Sequence, residues 1–264
     1  MQEGFGRLDV AIYGDDAGVI ARATEVLGPP FRVTPFEELI ALTSDLDRFH
    51  CLVMATLRPT DTDLEWMRRR AASPAHSYVP LVLIHSSRPD TEAKLRGIAL
   101  DDHIRPGEVG AELRSIVRRL AVRVSSANLI RDSSLPDILR RVLVVTCYDE
   151  PVPVRLNKVY RLSQTARSTA RLKYSQVIRP RTLRSLEDVH EEISIIRCVG
   201  WKSPRKSWLD IAERLRCSVD WIDHALKRQF KLARRELDDA RIERLQLERL
   251  PRLLRGILLH ENSS

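Results

Sequence analysis

The sequence lacks a long apolar run, a secretory signal and any closely spaced cysteine pair. No stretch approaches the roughly 18 consecutive apolar residues of a membrane-spanning helix, so we expect no transmembrane segment and no membrane partner. At the N-terminus no apolar stretch follows a basic segment, so we expect no secretory signal. Four cysteines, at positions 51, 147, 198 and 217, never form a C-x-x-C pair. This spacing predicts a reduced cytoplasmic protein without a disulfide framework or a zinc site.

Sequence motifs of catalytic, phosphate-binding and metal-binding sites are also scarce. Only 10 glycines occur among 264 residues, and none belongs to a glycine-rich phosphate loop. Metal-ligand spacing is missing, as is an arrangement of nucleophile and base. An enzyme is therefore the least favoured interpretation, and we expect no cofactor and no bound metal. Hydrophobic residues make up 43% of the chain, which is enough to build cores and excludes wholesale disorder.

The net charge of +8 is unevenly distributed. Residues 1–125 hold 16 basic and 18 acidic side chains, a net of −2, whereas residues 126–264 hold the remaining 28 basic and 18 acidic side chains, a net of +10. A chain of this length is expected to form two domains. The basic half indicates a polyanion-binding module joined to a near-neutral domain, although its many arginines could also reflect genome composition.

Residues 1–125 alternate between strand and helix patterns. Short apolar runs predict strands over 8–13, 31–34, 51–55 and 79–84, and a short segment over 102–104 completes the set. Apolar periodicity predicts helices over 17–27, around 64–66, and over 90–97 and 108–123. Strands this apolar are typical of a parallel sheet that is buried on both faces. We therefore expect an α/β domain with a flavodoxin-like, doubly wound (βα)5 fold.

The order and spacing of residues 7–124 resemble a response-regulator receiver domain. That family has an acidic pair after its first strand, a phosphoacceptor Asp after the third, Thr or Ser after the fourth, and Lys-Pro after the fifth. At or near these positions this sequence has Asp15 and Asp16, the stretch Ala55-Thr56-Leu57, His85-Ser86 and Arg105-Pro106. The resemblance implies a degenerate pocket formed by Asp15, Asp16, Thr56, His85 and Arg105.

This pocket lacks the carboxylate that would accept a phosphoryl group. Without a nucleophile no aspartyl phosphate can form. Asp15 and Asp16 could still hold a cation weakly, or they could be solvated carboxylates in a turn; His85 fits a polar residue at a strand end. We expect a pseudo-receiver that serves self-association, as a homodimer, or contact with a protein partner.

From Ser134, the expected cap of a helix, helical periodicity replaces strand patterns. Residues 208–215 and 219–228 predict two short helices joined by three residues, which is the helix-turn-helix layout. Ala212 is small enough for a close crossing, and Ser218 can cap the second helix. The predicted outer face of that helix carries Asp220, Trp221, Asp223, His224 and Lys227. An ordinary helical hairpin is the alternative.

These residues resemble the second DNA-binding motif of the AraC/XylS family. The similarity lies in Asp210-Ile211-Ala212, Cys217-Ser218 and Leu226-Lys227-Arg228. Because that family carries two such motifs joined by a long helix, a first copy is expected upstream, with helices over 156–162 and 167–174. A linker helix is then expected after Pro180, and its buried stripe would contain Leu183, Leu186, Val189, Ile193 and Ile196.

Three residues depart from the family pattern. Tyr160 stands where the family has a small alanine, and Gln164 and Arg216 stand at turn positions that usually carry glycine. A residue other than glycine at positive φ carries strain.

The resemblance implies an all-α, AraC-like domain over residues 126–240 that binds double-stranded DNA. Arg167, Ser168, Thr169 and Arg171 would contact bases from the first motif, and the outer face of residues 220–227 from the second. Flanking basic residues would contact backbone phosphates or would simply be solvated charges: Arg179, Arg181, Lys202, Arg205 and Lys206.

Residues 241–264 form a C-terminal extension in which leucine and isoleucine recur and Pro251 should kink the helix. The extension would pack on its own domain or bind another subunit or a partner helix. The favoured interpretation is a sequence-specific, cytoplasmic and nucleoid-associated bacterial transcription regulator. The alternative is a protein-interaction adaptor built from degenerate receiver and helix-turn-helix domains, without DNA binding.

Overall fold

A computed structural model describes residues 5–73, 78–86, 88–152 and 154–258. The chain divides into two compact units, one over Gly6–Val124 and one that contains the chain from Ser125 onwards. The first unit mixes strands and helices, and the second is helical. Among the described residues, no helix is both long enough and apolar enough to cross a membrane.

The first unit is built on a five-stranded parallel sheet. Its strands are β1 Leu8–Gly14, β2 Phe31–Phe36, β3 Cys51–Ala55, β4 Leu81–Ile84 and β5 Asp102–Ile104. They lie in the order β2-β1-β3-β4-β5, which is the flavodoxin-like order, and this confirms the predicted class. The helices of this unit are α1 Ala17–Leu27, α2 Leu39–Asp45, α3 Asp61–Ala72, α4 Pro89–Leu95 and the start of α5 Val109–Arg131.

Position in the sheet explains the composition of the strands. Every residue of β3 and β4 is buried, because these strands have neighbours on both sides and helices cover the faces of a doubly wound sheet. Pro35 lies in β2, at an edge of the sheet, where a missing amide donor is tolerated. Gly14 ends β1 so close to β3 that a Cβ there would lie 2.3 Å from the carbonyl oxygen of Ala55. The first and third strand ends are therefore in close contact.

The second unit consists of short helices around one central helix. After the end of α5 come α6 Asp137–Tyr148, α7 Leu156–Leu162, α8 Arg167–Val177, α9 Arg179–Thr182, α10 Leu186–Val199, α11 Trp208–Leu215, α12 Val219–Phe230, α13 Asp239–Arg244 and α14 Leu250–Leu258. Eleven of the 14 residues of α10 are buried, and α10 packs against both α6 and α12. Ser185 and Asp188 form a capping box at its start.

A buried carboxylate on α10 joins three parts of this unit. Glu192 is fully buried and accepts hydrogen bonds from Arg184, which precedes α10, and from Arg249 Nε at 2.6 Å. Arg184 also donates to Gln229 of α12 at 3.2 Å. Burying a carboxylate is costly unless it is paired and hydrogen-bonded, so the network specifies how these segments meet.

A second arginine attaches α10 to the end of α6. Arg197, itself buried, donates to the carbonyl oxygen of Thr146 at 2.6 Å and to that of Asp149 at 2.8 Å. Both acceptors lie at or just beyond the last turn of α6, where helix carbonyls have no intrahelical partner. Arg197 thus joins the last turn of the central helix to α6, in addition to the contacts of Glu192.

The C-terminal extension packs on its own unit. Leu245, Leu250, Leu254 and Ile257 are buried, and the extension contributes Arg249 to the Glu192 pair. A π-helical turn over Leu245–Arg249 ends two positions before Pro251, and proline lacks the amide hydrogen that a helix uses as a donor. Of the two roles expected for the extension, packing on its own domain is the one observed for its apolar face; residues 259–264 lie outside the described residues.

Several element boundaries differ from the sequence prediction. The helix α2 was not predicted, and α5 continues to Arg131 instead of ending at 123. Leu183, predicted on the buried stripe of the linker helix, is 88% exposed and has a left-handed backbone with φ 54°. The reason is that α9 ends at Thr182 and α10 begins only at Leu186, so Leu183 lies in the turn between them.

Replacing Glu192 by alanine should destabilise the second unit strongly. We expect Glu192→Ala to lower the free energy of unfolding by about 3 kcal/mol, near the lower end for a broken buried pair because both arginine partners are partly exposed. Three of the four tryptophans, Trp201, Trp208 and Trp221, lie in this unit, so denaturant unfolding can be followed by their fluorescence.

The matched control is Glu187→Ala on the same helix. Glu187 is 43% exposed and pairs with Arg171 on the surface, so its loss should cost about 1 kcal/mol or less. Equal effects of the two substitutions would contradict the structural role of Glu192.

Candidate nucleic-acid interface

Two helix pairs in the second unit share one local design. The first pair is α7 and α8, and the second is α11 and α12. Their first helices begin at Leu156 and Trp208, and their second helices begin at Arg167 and Val219, so both starts are 52 positions apart. The buried positions also recur at this offset, as Ala170 and Ile222 illustrate.

The turns of the two pairs have the same backbone geometry. Gln164 and Arg216 have φ values of 52° and 55°. In each turn the next amide donates to a carbonyl five residues back, from Thr165 to Tyr160 and from Cys217 to Ala212, both at 3.0 Å. This is the left-handed motif that ends many helices and usually contains glycine, formed here by Gln164 and Arg216. The left-handed backbone that the sequence suggested for Gln164 and Arg216 is present at both positions.

The small residue expected at the crossing is present in only one pair. Ala212 is 2% exposed in the second pair, and the bulky Tyr160 is 6% exposed at the same position of the first. Burial raises the pKa of Tyr160 above its usual value. One helix later the sizes are reversed, because the first pair has Ala170 where the second has Ile222. Each pair therefore buries one small and one large residue at these two positions.

Helix capping is stronger in the second pair. Ser207 and Asp210 form a capping box at α11, and the hydrogen bonds from Ser207 lower the pKa of Asp210. Ser218 caps α12 by accepting a hydrogen bond from the amide of Trp221 at 3.1 Å. Ala166, at the corresponding position before α8, makes no side-chain cap. The start of α8 is consequently less well fixed than that of α12.

The predicted base-contacting residues of α8 differ in availability. Arg167 and Ser168 are exposed, and Thr169 is partly buried. Arg171 is exposed but forms an ion pair with Glu187 of α10. To contact a base, Arg171 would have to leave this pair.

Sequence reasoning missed the continuation of this face. Leu172 is 56% exposed, and Gln176 is also exposed. They follow Ser168 at intervals of four residues, which places all three on one side of α8. The interval itself was the signal that could have identified them.

On α12 the exposed face is mixed in charge. Asp220, His224 and Lys227 are exposed and spaced by four and three residues, and Trp221 is partly buried. Asp223 pairs with Arg234, which lies beyond the helix. The carboxylate of Asp223 is therefore partly neutralised before any polyanion approaches.

Two of the five predicted phosphate contacts are on α9. Arg179 and Arg181 are exposed there, and the helix follows α8 after a single residue. Their guanidinium groups are in reach of solvent and remain candidates for phosphate binding.

The other three lie in a compact turn before α11. Lys202 donates to the carbonyl oxygen of Ser203 at 2.8 Å, and Lys206 Nζ lies 5.1 Å from the centre of the Trp201 ring. Arg214 of α11 also stacks on this ring, with its Cζ at 4.1 Å from the centre. Arg205 is exposed. Lys202 and Lys206 thus have contacts within the protein.

A further basic surface follows α12. A cavity of about 580 Å³, which we call the basic hollow, is lined by Asp223, Lys227, Lys231, Leu232, Ala233, Arg234, Arg235 and Glu236. Lys231 ends α12 in a left-handed conformation with φ 58°. The prediction from sequence named only Lys227 and Asp223 of this group. The run of basic residues from 227 to 235 is the signal that could have revealed the rest.

The residues predicted to form a degenerate receiver pocket follow the carboxyl ends of the parallel strands. Asp16 caps α1 by accepting a hydrogen bond from the amide of Val19 at 3.0 Å, whereas Asp15 is exposed. Thr56 and His85 are buried, and Arg105 is exposed. Of the two acidic residues predicted here, one is therefore used to hold a helix.

The loops after β3 and β4 are joined directly. The amide and hydroxyl of Ser86 donate to the carbonyl oxygen of Leu57 at 3.0 and 2.7 Å. His85 Nδ1 lies 3.0 Å from the carbonyl oxygen of Ser86, and burial lowers the pKa of His85. Within the described ranges, no group of three or more His, Cys, Asp or Glu side chains could hold a metal ion.

Comparison with known proteins identifies no family. No family model and no curated protein matches this chain. Among solved structures, a crystal structure from Burkholderia pseudomallei, of a protein provisionally named as pilus assembly-related, covers 42% of this chain and 90% of its own, with 17% identity and a TM-score of 0.36. This likeness is too low to support a functional argument.

Removing the carboxylate of Asp16 should destabilise α1, because Asp16 caps this helix. We expect Asp16→Ala to lower the opening free energy of α1 by about 1 kcal/mol, the usual cost of losing an N-cap. Asp15→Ala should change it by less than about 0.5 kcal/mol, because Asp15 is an exposed residue outside the cap. Amide hydrogen exchange of α1 measures both. Equal exchange rates of α1 in Asp16→Ala and in the wild-type protein would contradict the capping role.

Glycine in the two turns should stabilise the second unit. A left-handed residue other than glycine costs about 1–2 kcal/mol, and glycine loses about 0.5–1 kcal/mol through backbone entropy. We therefore expect Gln164→Gly and Arg216→Gly each to raise the free energy of unfolding by about 0.5–1 kcal/mol, measured by denaturant titration. The control Lys173→Gly, at an exposed position inside α8, should lower it by about 1 kcal/mol. A loss of stability in both turn variants would refute the assigned turn geometry.

Proposed function

We propose that this protein is a sequence-specific, DNA-binding transcription regulator of the AraC/XylS type. The observation that carries the proposal is the repeated helix pair, in which two turns of the same geometry each precede a helix with an exposed face. The net charge of +10 over residues 126–264 supports it, because phosphate neutralisation supplies much of the affinity for DNA.

In this proposal α8 and α12 are two recognition helices of helix-turn-helix motifs, held by α10. Arg167, Ser168 and the exposed face beyond them would contact bases from the first arm, and Asp220, His224 and Lys227 from the second. Arg179, Arg181, Arg205 and, in the basic hollow, Lys231 and Arg235 would contact backbone phosphates. The acidic residues of α12 would accept hydrogen bonds from cytosine N4 or repel misplaced phosphates.

The receiver-like unit would mediate assembly or sense a partner without phosphorylation. Support comes from the absent carboxylate after β3, from the capping role of Asp16, and from the hydrogen bonds of Ser86 to Leu57 that join the two loops. A homodimer or a protein partner would use this unit, because the apolar face of the C-terminal extension is buried in its own unit. Cytoplasmic location and association with the nucleoid follow from the proposed DNA binding.

An adaptor that binds protein and not DNA is the second candidate. It is favoured by the ion pair of Arg171 with Glu187 and by the stacking of Lys206 on Trp201, since both use cations that DNA binding would need. Such an adaptor would show no preference for any DNA sequence.

Selection from random double-stranded DNA with the full-length protein tests the proposal. We expect enrichment of a sequence that spans two adjacent major grooves. The logarithm of the binding constant should fall against the logarithm of the salt concentration with a slope near −4.5, for ~5 neutralised phosphates. No enrichment together with a slope near zero would refute DNA binding and favour the adaptor.

Variants separate base contacts from phosphate contacts. Arg167→Ala should weaken DNA binding by about 1–3 kcal/mol and relax the preference for one base at one position of the site. The double variant Arg179→Gln with Arg181→Gln should weaken binding to all DNA sequences equally and reduce the magnitude of the salt slope by about 2. The control Arg68→Gln with Arg69→Gln, in α3 of the other unit, should leave the slope unchanged.

A further inference from the structure

A cavity in the second unit is formed by three helical segments. Its volume is about 520 Å³, within the range of about 300–1,000 Å³ that is typical of small-molecule sites. We call it the arginine cavity, and its lining comes from the end of α5, one face of α6 and the turn between α7 and α8: Arg131, Asp137, Arg140, Arg141, Val144, Val145, Leu162, Ser163 and Gln164. The DNA contacts proposed above use none of these residues.

The cavity has an apolar wall that the core of the unit does not use. The buried residues of α6 form one stripe along the helix: Leu139, Val142, Leu143, Thr146 and Cys147. Val144 and Val145 lie outside this stripe and are only partly buried. Leu162, at the end of α7, is 42% exposed. Three apolar side chains therefore line the cavity and remain accessible to solvent.

Positive charge predominates beside this apolar wall. Arg140 and Arg141 share one carboxylate, that of Asp137, with nitrogen–oxygen distances of 3.7 and 3.1 Å. The three side chains are between 39% and 66% exposed, and ion pairs this exposed contribute little, so an incoming anion can readily compete with Asp137. Arg131, whose Cζ lies 5.7 Å from the centre of the Tyr148 ring, adds a third guanidinium group to the lining.

We propose that the arginine cavity binds a small amphipathic organic anion. The acidic group of this ligand, a carboxylate, sulfonate or phosphate, pairs with Arg140 and Arg141, because a planar guanidinium group matches the spacing of two such oxygens. The apolar body of the ligand covers Val144, Val145 and Leu162. A ligand that has only one of these two parts leaves the other half of the lining without a partner, so inorganic phosphate should bind weakly.

The ligand acts on the turn that precedes α8. Leu162, Ser163 and Gln164 line the cavity, and Gln164 has the left-handed backbone of this turn. No side chain caps the start of α8, where Ala166 stands. A ligand that packs against the turn favours the conformation in which α8 is presented, and it thereby strengthens DNA binding by the first helix pair. This consequence rests on the proposed DNA-binding function; the ligand site itself does not.

Titration of the full-length protein with anilinonaphthalene sulfonate tests the site. This probe is an aromatic sulfonate whose fluorescence rises in apolar surroundings. We expect saturable binding, about tenfold weaker in Arg140→Gln with Arg141→Gln, because hydrogen bonds to a charged group are lost. Asp137→Asn should strengthen binding about threefold, because the competing carboxylate is removed. Partial unfolding raises the fluorescence of this probe, so misfolding cannot explain weaker binding by the arginine variant.

Matched controls separate the charged part of the site from the apolar part. N-phenylnaphthylamine has the same rings without the sulfonate, so its binding should not change in the arginine variant. Leu162→Gln should weaken binding of both probes, and Arg68→Gln with Arg69→Gln, on α3 of the other unit, should change neither. The proposal is overturned if anilinonaphthalene sulfonate shows no saturable binding, if it binds the arginine variant as well as the wild-type protein, or if that variant loses both probes equally.

DNA affinity with and without the probe tests the consequence. On the selected DNA sequence, saturating anilinonaphthalene sulfonate should tighten binding by about fivefold or more, and saturating DNA should tighten binding of the probe by the same factor. Unchanged DNA affinity with the cavity occupied overturns the regulatory part. If the protein binds no DNA at all, the proposed function fails, and the titration still decides whether the ligand site exists.

Discussion

The buried carboxylate of Glu192 is the constraint on which the second unit depends. A fully buried anion must be paired, and its two arginines come from the segment before α10 and from the C-terminal extension. Arg184 continues the network to Gln229 of α12, and Gln229 donates to Glu191 at 2.7 Å. The central helix therefore determines where the last turn of α12 lies, and the extension is required to complete the pair.

Around this helix the same turn occurs twice with different local support. Gln164 and Arg216 share a left-handed backbone, yet only the second pair has side-chain caps on both of its helices. The second arm is thus the better fixed of the two, although its exposed face is less basic than the first. Positive charge lies mainly beside the helices, on α9 and in the basic hollow, which suits phosphate contacts that set register more than contacts that read bases.

Strong local patterns made much of the fold predictable. The strands recur close to their predicted positions because apolar runs such as 51–55 and 79–84 suit a sheet buried on both faces, and the helix starts at Arg167 and Trp208 match the predictions. The prediction for Leu183 was wrong because apolar periodicity does not show where one helix ends and the next begins. The pairing of Arg171 with Glu187 depends on tertiary structure, which spacing along the chain does not encode, whereas the capping of α1 by Asp16 is a local contact.

The central claim is that two helices of one unit enter DNA together. Hydroxyl-radical and methylation footprinting of the full-length protein on its selected sequence tests this most directly. The account predicts two protected major-groove segments on one face of the duplex, about 10 base pairs apart, with the protection at one segment lost in Arg167→Ala. A single protected segment, or uniform protection independent of sequence, would contradict it.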